Sequence, residues 1–171
     1  LKRLDNAMNE WVEKGYMNGG AALIIRDGKI AYYKANGFND LDTKAPLQKD
    51  GIFRIASQTK AITSVAIMML FDEGKLLLTD PVSMYIPSFK KQSVLVNFNP
   101  ADTTYTTVPA KREVTIKDLL THTSGLGYAQ IGSKEANAIY AKSNITAGLG
   151  VKDRTLLQAM TRLGEMPLMH Q

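Results

Sequence analysis

Phe53-Arg54-Ile55-Ala56-Ser57-Gln58-Thr59-Lys60 is a short apolar approach running into a long apolar helix, with a serine at the junction and a lysine three residues on. That spacing sets a hydroxyl and an amine on one face of a helix's first turn, where a serine nucleophile can be activated without histidine. Beyond it Ala61, Ile62, Val65, Ala66, Ile67, Met68, Met69, Leu70 and Phe71 make the helix apolar nearly all round. Such a helix is expected to lie buried at the centre of a domain. Gly74 supplies a C-terminal stop, and Lys75 complements the negative helix end.

Upstream, Leu1, Leu4, Ala7, Met8, Trp11 and Val12 recur at helical spacing, so Leu1 to Lys14 is expected to be an amphipathic helix. Gly15 and Asn18-Gly19-Gly20 end it. Ala21 to Arg26 reads as a buried strand, Asp27-Gly28 as a two-residue hairpin turn, and Lys29 to Ala35 as the returning strand. The turn-rich stretch from Gly37 to Asp50 reads as a loop.

Downstream, Thr79-Asp80-Pro81 is expected to open a short helix that Pro87 stops. Val94 to Phe98 and Tyr105 to Val108 read as strands of a surface hairpin around Asn99-Pro100-Ala101-Asp102. Thr115-Ile116-Lys117-Asp118 forms a capping box that starts a helix through Leu119-Leu120. Ser133 to Lys142 and Asp153 to Leu163 are further helix candidates. The pattern is α+β, an antiparallel sheet flanked by helices plus a mainly helical domain. Residues 1–56 hold the first helix and hairpin, and residues 57–171 begin the helical domain at the serine helix.

Composition narrows the function classes. The absence of cysteine excludes disulfides and thiolate metal sites. His122 and His170 lie far apart without acidic residues at ligand spacing, so neither metal nor cofactor is called for. The +5 net charge is scattered, and its densest groups, Lys90-Lys91 and Lys111-Arg112, are only pairs. That is an ordinary solvated surface, and no nucleic acid partner is expected. The polar opening after Leu1 reads as neither signal peptide nor membrane span.

A bare Ser-x-x-Lys arises by chance on the order of once in a chain this long. Here it occurs twice, at Ser57 to Lys60 and at Ser88 to Lys91. Ser88 follows Pro87 and precedes Phe89-Lys90-Lys91-Gln92, which reads as a solvated loop. Ser57 instead stands where unpaired backbone N–H groups and the helix dipole favour developing negative charge. Lys60 is expected at the dry end of the helix, as general base. The bland alternative makes Ser57 an N-cap and lets Lys60 snorkel to solvent.

Taken with its surroundings, the stretch Phe53 to Lys60 resembles the nucleophile motif of the serine β-lactamase and penicillin-binding superfamily. The branch it resembles is that of class C β-lactamases, β-lactamase-like esterases and D-Ala-D-Ala carboxypeptidases. Asp72-Glu73-Gly74-Lys75-Leu76, then Leu78-Thr79-Asp80-Pro81-Val82-Ser83-Met84-Tyr85-Ile86-Pro87, is similar to the family's segment after the central helix. So are Pro109-Ala110-Lys111-Arg112 and Val114-Thr115-Ile116-Lys117-Asp118-Leu119-Leu120-Thr121-His122-Thr123-Ser124-Gly125-Leu126 to its next helix and loop. The resemblance implies Ser57 as catalytic nucleophile and Lys60 as base. It implies no catalytic role for His122, which is left to packing or the helix terminus; Gly125 and Gly127 are left to backbone geometry. It also implies an exported, periplasmic or extracellular protein acting on a small ester, a D-amino-acid peptide or a β-lactam. The long hairpin between Lys91 and Lys111 leans the reading toward esterases.

Two of the family's motifs are lacking: Tyr-x-Asn or Tyr-x-Ser, and Lys-Thr-Gly or His-x-Gly. Tyr140-Ala141-Lys142 and Tyr128-Ala129-Gln130 do not complete the tyrosine motif. Glu165-Met166-Pro167-Leu168-Met169-His170-Gln171 resembles the lead-in to the turn that precedes it. The chain is therefore expected to be an N-terminal piece of a longer protein, inactive alone and partnered by its missing C-terminal half. The competing expectation is a non-catalytic module of the same fold that binds cell-wall peptide or a partner protein.

Overall fold

A computed structural model describes residues 1–145 and 153–171, and it divides into two compact units, Leu1–Ser57 and Gln58–Gln171. Of the motif-free stretch 129–150, the last five residues lie outside the described residues.

In the first unit, helix α1 (Lys2–Glu13) packs on a hairpin of β1 (Gly19–Arg26) and β2 (Lys29–Gly37). The turn is the one the sequence calls for. Asp27 and Gly28 both take positive φ, at 50° and 71°, which matches the right-handed twist of the strands. Pairing runs antiparallel from Gly19 opposite Gly37 to Arg26 opposite Lys29, with a register shift between Ile24 and Ile25. The Tyr32 hydroxyl donates to Asp5 at 2.7 Å, and Lys34 pairs with the same carboxylate at 2.8 Å. Those two partners hold the Asp5 carboxyl below its ordinary range. Met8, Tyr32 and Leu47 are the buried apolar residues of this unit.

Among the described residues, strand β1 is not covered as its composition suggests. Leu23 and Ile25 are 51% and 60% exposed. An apolar run states a demand for cover, and the described residues supply it on one side at most.

The second unit opens with α2 (Thr59–Asp72). Its end follows the sequence closely: the N–H of Gly74 (φ 68°) bonds to Phe71 and that of Lys75 to Leu70, both at 2.9 Å. This is a Schellman stop built on a left-handed glycine. The described residues do not supply the expected burial. Ile62, Val65 and Met69 are 62%, 61% and 58% exposed, and no residue of α2 is fully buried. Composition fixed what this helix needs against it, not whether that neighbour lies among the described residues.

Beyond α2 the chain makes two 3₁₀ turns, Val82–Met84 and Pro87–Lys91, in place of one short helix stopped by proline. Pro81 takes an extended conformation before the first turn, and Pro87 starts the second. The hairpin of β3 (Ser93–Asn99) and β4 (Thr104–Pro109) follows, with Ser93 opposite Pro109. Then come α3 (Ile116–Leu120), α4 (Lys134–Lys142) and α5 (Leu156–Gly164). Side-chain caps start all three, at Thr115, Ser133 and Thr155. The final segment bonds back onto the hairpin: the Leu168 N–H donates to the Ser93 carbonyl, and the Leu95 N–H to the Leu168 carbonyl, both at 2.8 Å. Val82, Phe89, Val114 and Leu168 form one buried core, and the fold is α+β throughout.

Candidate active site

The approach Phe53 to Ile55 has no regular structure, and the chain turns sharply at Ala56, whose φ is 45°. A left-handed conformation costs an L-residue about 1–2 kcal/mol, so surrounding structure must impose this turn. It leads into the 3₁₀ turn Ala56–Gln58, which carries Ser57, and then directly into α2, where Lys60 is the second residue. The N-cap of α2 is Gln58, and its side chain makes no capping bond. The bland reading of Ser57 as the cap therefore does not describe this helix start. Both Ser57 and Lys60 are exposed, so the dry setting expected for Lys60 is not supplied by the described residues.

Lys60 borders a cleft of about 440 Å³ that lies within the second unit. From α2, Thr63, Ser64 and Ile67 face it, at helical spacing from Lys60. Across from them stand Ile116, Leu119 and Leu120 of α3, with His122 just beyond. The cleft thus joins an amine, hydroxyls and an imidazole to apolar walls.

The far wall is held by Asp118. Its carboxylate accepts the Thr115 N–H at 2.9 Å and closes the capping box predicted from the sequence. It also takes both prongs of the Arg112 guanidinium, at 2.5 and 3.0 Å. That ion pair, reinforced by Thr115, outweighs the burial of Asp118 and holds its carboxyl well below the ordinary carboxylate range. After the helix, His122 turns left-handed at φ 58°, and the Thr123 N–H returns to the Asp118 carbonyl at 2.9 Å. His122 therefore sits at a helix terminus, as expected, and its side chain is exposed on the edge of the cleft. Gly125 meets its expectation too: at φ 76° a Cβ there would press on the His170 carbonyl oxygen and lie 3.1 Å from Leu168.

The two rejected tyrosines have clear placements. Tyr140 is 1% exposed, and its hydroxyl accepts the Gly127 N–H at 3.0 Å. Burial raises its phenol above the ordinary value. Tyr128 stands 45% exposed. The second Ser-x-x-Lys is not the solvated loop it resembles. Ser88 is half-buried in the 3₁₀ turn Pro87–Lys91, and its buried Oγ meets no partner among the described residues. A Cβ on Gly164 would press on that oxygen and lie 2.6 Å from the Phe89 ring, so α5 packs directly over this turn.

Sequence reasoning missed two parts of the site. Thr63 and Ser64 had a usable signal, lying three and four residues past Lys60. The turn at Ala56 had none, because alanine gives no sign of a positive φ.

The sequence profile of the Beta-lactamase family matches residues 4–171. The chain belongs to the beta-lactamase family. Among relatives of this beta-lactamase-family chain, Protein Rv1367c of Mycobacterium tuberculosis is 36% identical over 166 residues, covering 96% of this chain and 39% of that protein. Esterase EstB of Burkholderia gladioli is 33% identical over 166 residues, covering 97% and 38%. The solved structure of EstCE1, described as a hydrolase with promiscuous acyltransferase activity, superposes with a TM-score of 0.82 at 28% identity, over 99% of this chain and 41% of that one. This beta-lactamase-family chain thus spans about two fifths of the length of these relatives.

Proposed function

We propose that the full-length protein is a serine hydrolase that works through an acyl-enzyme, with Ser57 as nucleophile and Lys60 as general base. The observation that carries this reading is the placement of Ser57 and Lys60 at the entry of α2, in a chain of the beta-lactamase family. Small-molecule carboxylic esters are the substrates we favour, because a relative at 33% identity is named an esterase. The apolar walls formed by Ile67, Ile116 and Leu119 suit the hydrocarbon part of such an ester.

In the first step the Ser57 Oγ bonds to the acyl carbon as its proton passes to the Lys60 amine. The tetrahedral intermediate expels the alcohol oxygen, which takes that proton from Lys60 and leaves as the alcohol. Water then attacks the acyl-enzyme by the same proton route, releasing the carboxylic acid and restoring the serine hydroxyl. Developing oxyanion charge would lie near the positive end of the α2 dipole, which favours it.

The test is to treat the full-length protein with a fluorophosphonate and locate the adduct by mass spectrometry. A single adduct on Ser57, lost in Ser57→Ala, is expected, together with turnover of a short-chain p-nitrophenyl ester. No adduct, or one that persists in Ser57→Ala, would sink the assignment. Labelling of Ser57 by a reporter penicillin with no ester turnover would move the substrate class to β-lactams or D-amino-acid peptides.

A further inference from the structure

The two basic pairs that lie apart in the sequence meet in the fold. Antiparallel register sets Ser93 opposite Pro109, and one step further the Ala110 N–H bonds to the Gln92 carbonyl at 3.0 Å. Continuing that register brings Lys90-Lys91 and Lys111-Arg112 to the same open end of the β3–β4 hairpin. There they border a cleft of about 580 Å³ that also takes in Gln92 and Glu113.

The charges in this cleft are unequal. Arg112 is committed to Asp118 through its two-pronged ion pair. Glu113 is the opposing carboxylate, and it accepts the Ser83 hydroxyl. Lys90, Lys91 and Lys111 are exposed, and none of them takes part in an ion pair found among the described residues. Three ammonium groups against one carboxylate leave a local positive field that a flexible anion can neutralise.

Gln92 supplies an independent sign. It is 7% exposed, yet neither its amide nitrogen nor its amide oxygen meets a hydrogen-bond partner among the described residues. A buried amide left unmatched destabilises the fold. It is retained where something else satisfies it, such as a ligand or ordered water in the cleft it lines.

We propose that this cleft is an anion site for an oligophosphate, meaning several phosphate groups in close succession, bound separately from the Ser57 chemistry. Lysines spaced around an open cleft suit a chain of point charges. A planar carboxylate would be better served by an uncommitted arginine fork. A rotation of the Gln92 side chain would bring its buried amide N–H₂ to the cleft as a neutral donor to a phosphoryl oxygen.

The test is titration calorimetry of the full-length protein with tripolyphosphate and, separately, with an abasic phosphodiester oligomer, each over a range of salt. Saturable binding of at least one is expected; whichever binds more tightly identifies a free or a diester-linked source. Lys91→Gln with Lys111→Gln should weaken binding at least about tenfold and reduce the salt slope by about one for each lysine removed. Glu113→Gln should tighten it. Ester turnover and melting temperature should stay unchanged in the double lysine variant, which separates loss of the site from loss of the fold. The proposal is overturned by no saturable binding, by binding equal to that of sulfate at the same ionic strength, or by binding the lysine variant retains in full.

Discussion

Ser57 to Lys60 and Ser88 to Lys91 have the same spacing and opposite settings. The first pair opens a 14-residue helix after a left-handed turn at Ala56, with both side chains exposed and Lys60 bordering an apolar cleft. The second lies in a five-residue 3₁₀ turn, with its serine pressed under Gly164 and its lysine at the rim of a basic cleft. Spacing fixes which atoms can meet; the surroundings decide whether a meeting atom can reach a substrate. A hydroxyl wedged beneath a helix is a packing atom, whatever stands three residues away.

The sharpest way to break this contrast is to remove each serine from the full-length protein. Ser57→Ala should lower ester turnover at least about 10³-fold, whereas Ser88→Ala should leave kcat/KM unchanged; steady-state kinetics of the two variants decides it. Next in size, Lys60→Met should slow acylation about 10²- to 10⁴-fold, read from the pre-steady-state release of the alcohol. Lys91→Met should have no effect on that rate.

Stability should order the pairs the other way. Gly164→Ala forces a methyl against Ser88 and Phe89, and overpacking of this kind costs about 1–3 kcal/mol. A denaturant melt of the full-length protein should show that loss with the urea slope unchanged. Smallest of all, Ser88→Ala removes a buried hydroxyl that has no partner among the described residues, and it should raise stability by up to about 1 kcal/mol in the same melt. A clear loss of stability there would mean that the Ser88 oxygen is hydrogen-bonded in the folded protein.

Local chemistry was the legible part of the fold. The Asp27-Gly28 turn, the Gly74 stop, the Thr115–Asp118 capping box and the β3–β4 hairpin all form where their residues call for them. Each is decided within a few residues, by φ preference, a side-chain cap or alternation. Burial was not legible, because it depends on what stands opposite. The residues of α2 are apolar enough for a core, yet Val65 is 61% exposed, in a chain that spans about two fifths of its relatives' length. Ser88 shows the converse, since its cover comes from Gly164, far along the chain. Around the candidate site, the helix entry that carries Ser57 and Lys60 could be read from the sequence. The cleft beside Lys60 could not, because its second wall is α3.

The bonding of Leu168 onto Ser93 and Leu95 constrains the order of assembly. Leu168 is 1% exposed and shares one core with Val82, Phe89 and Val114, which precede it by most of the second unit. Contacts of such long sequence separation form late, because loop closure is paid before packing returns anything. During synthesis, the β3–β4 hairpin and the 3₁₀ turn under Phe89 would emerge long before the residue that seals them. Until then their apolar faces stand open, and a ribosome stalled short of Leu168 would present a nascent chain that chaperones bind.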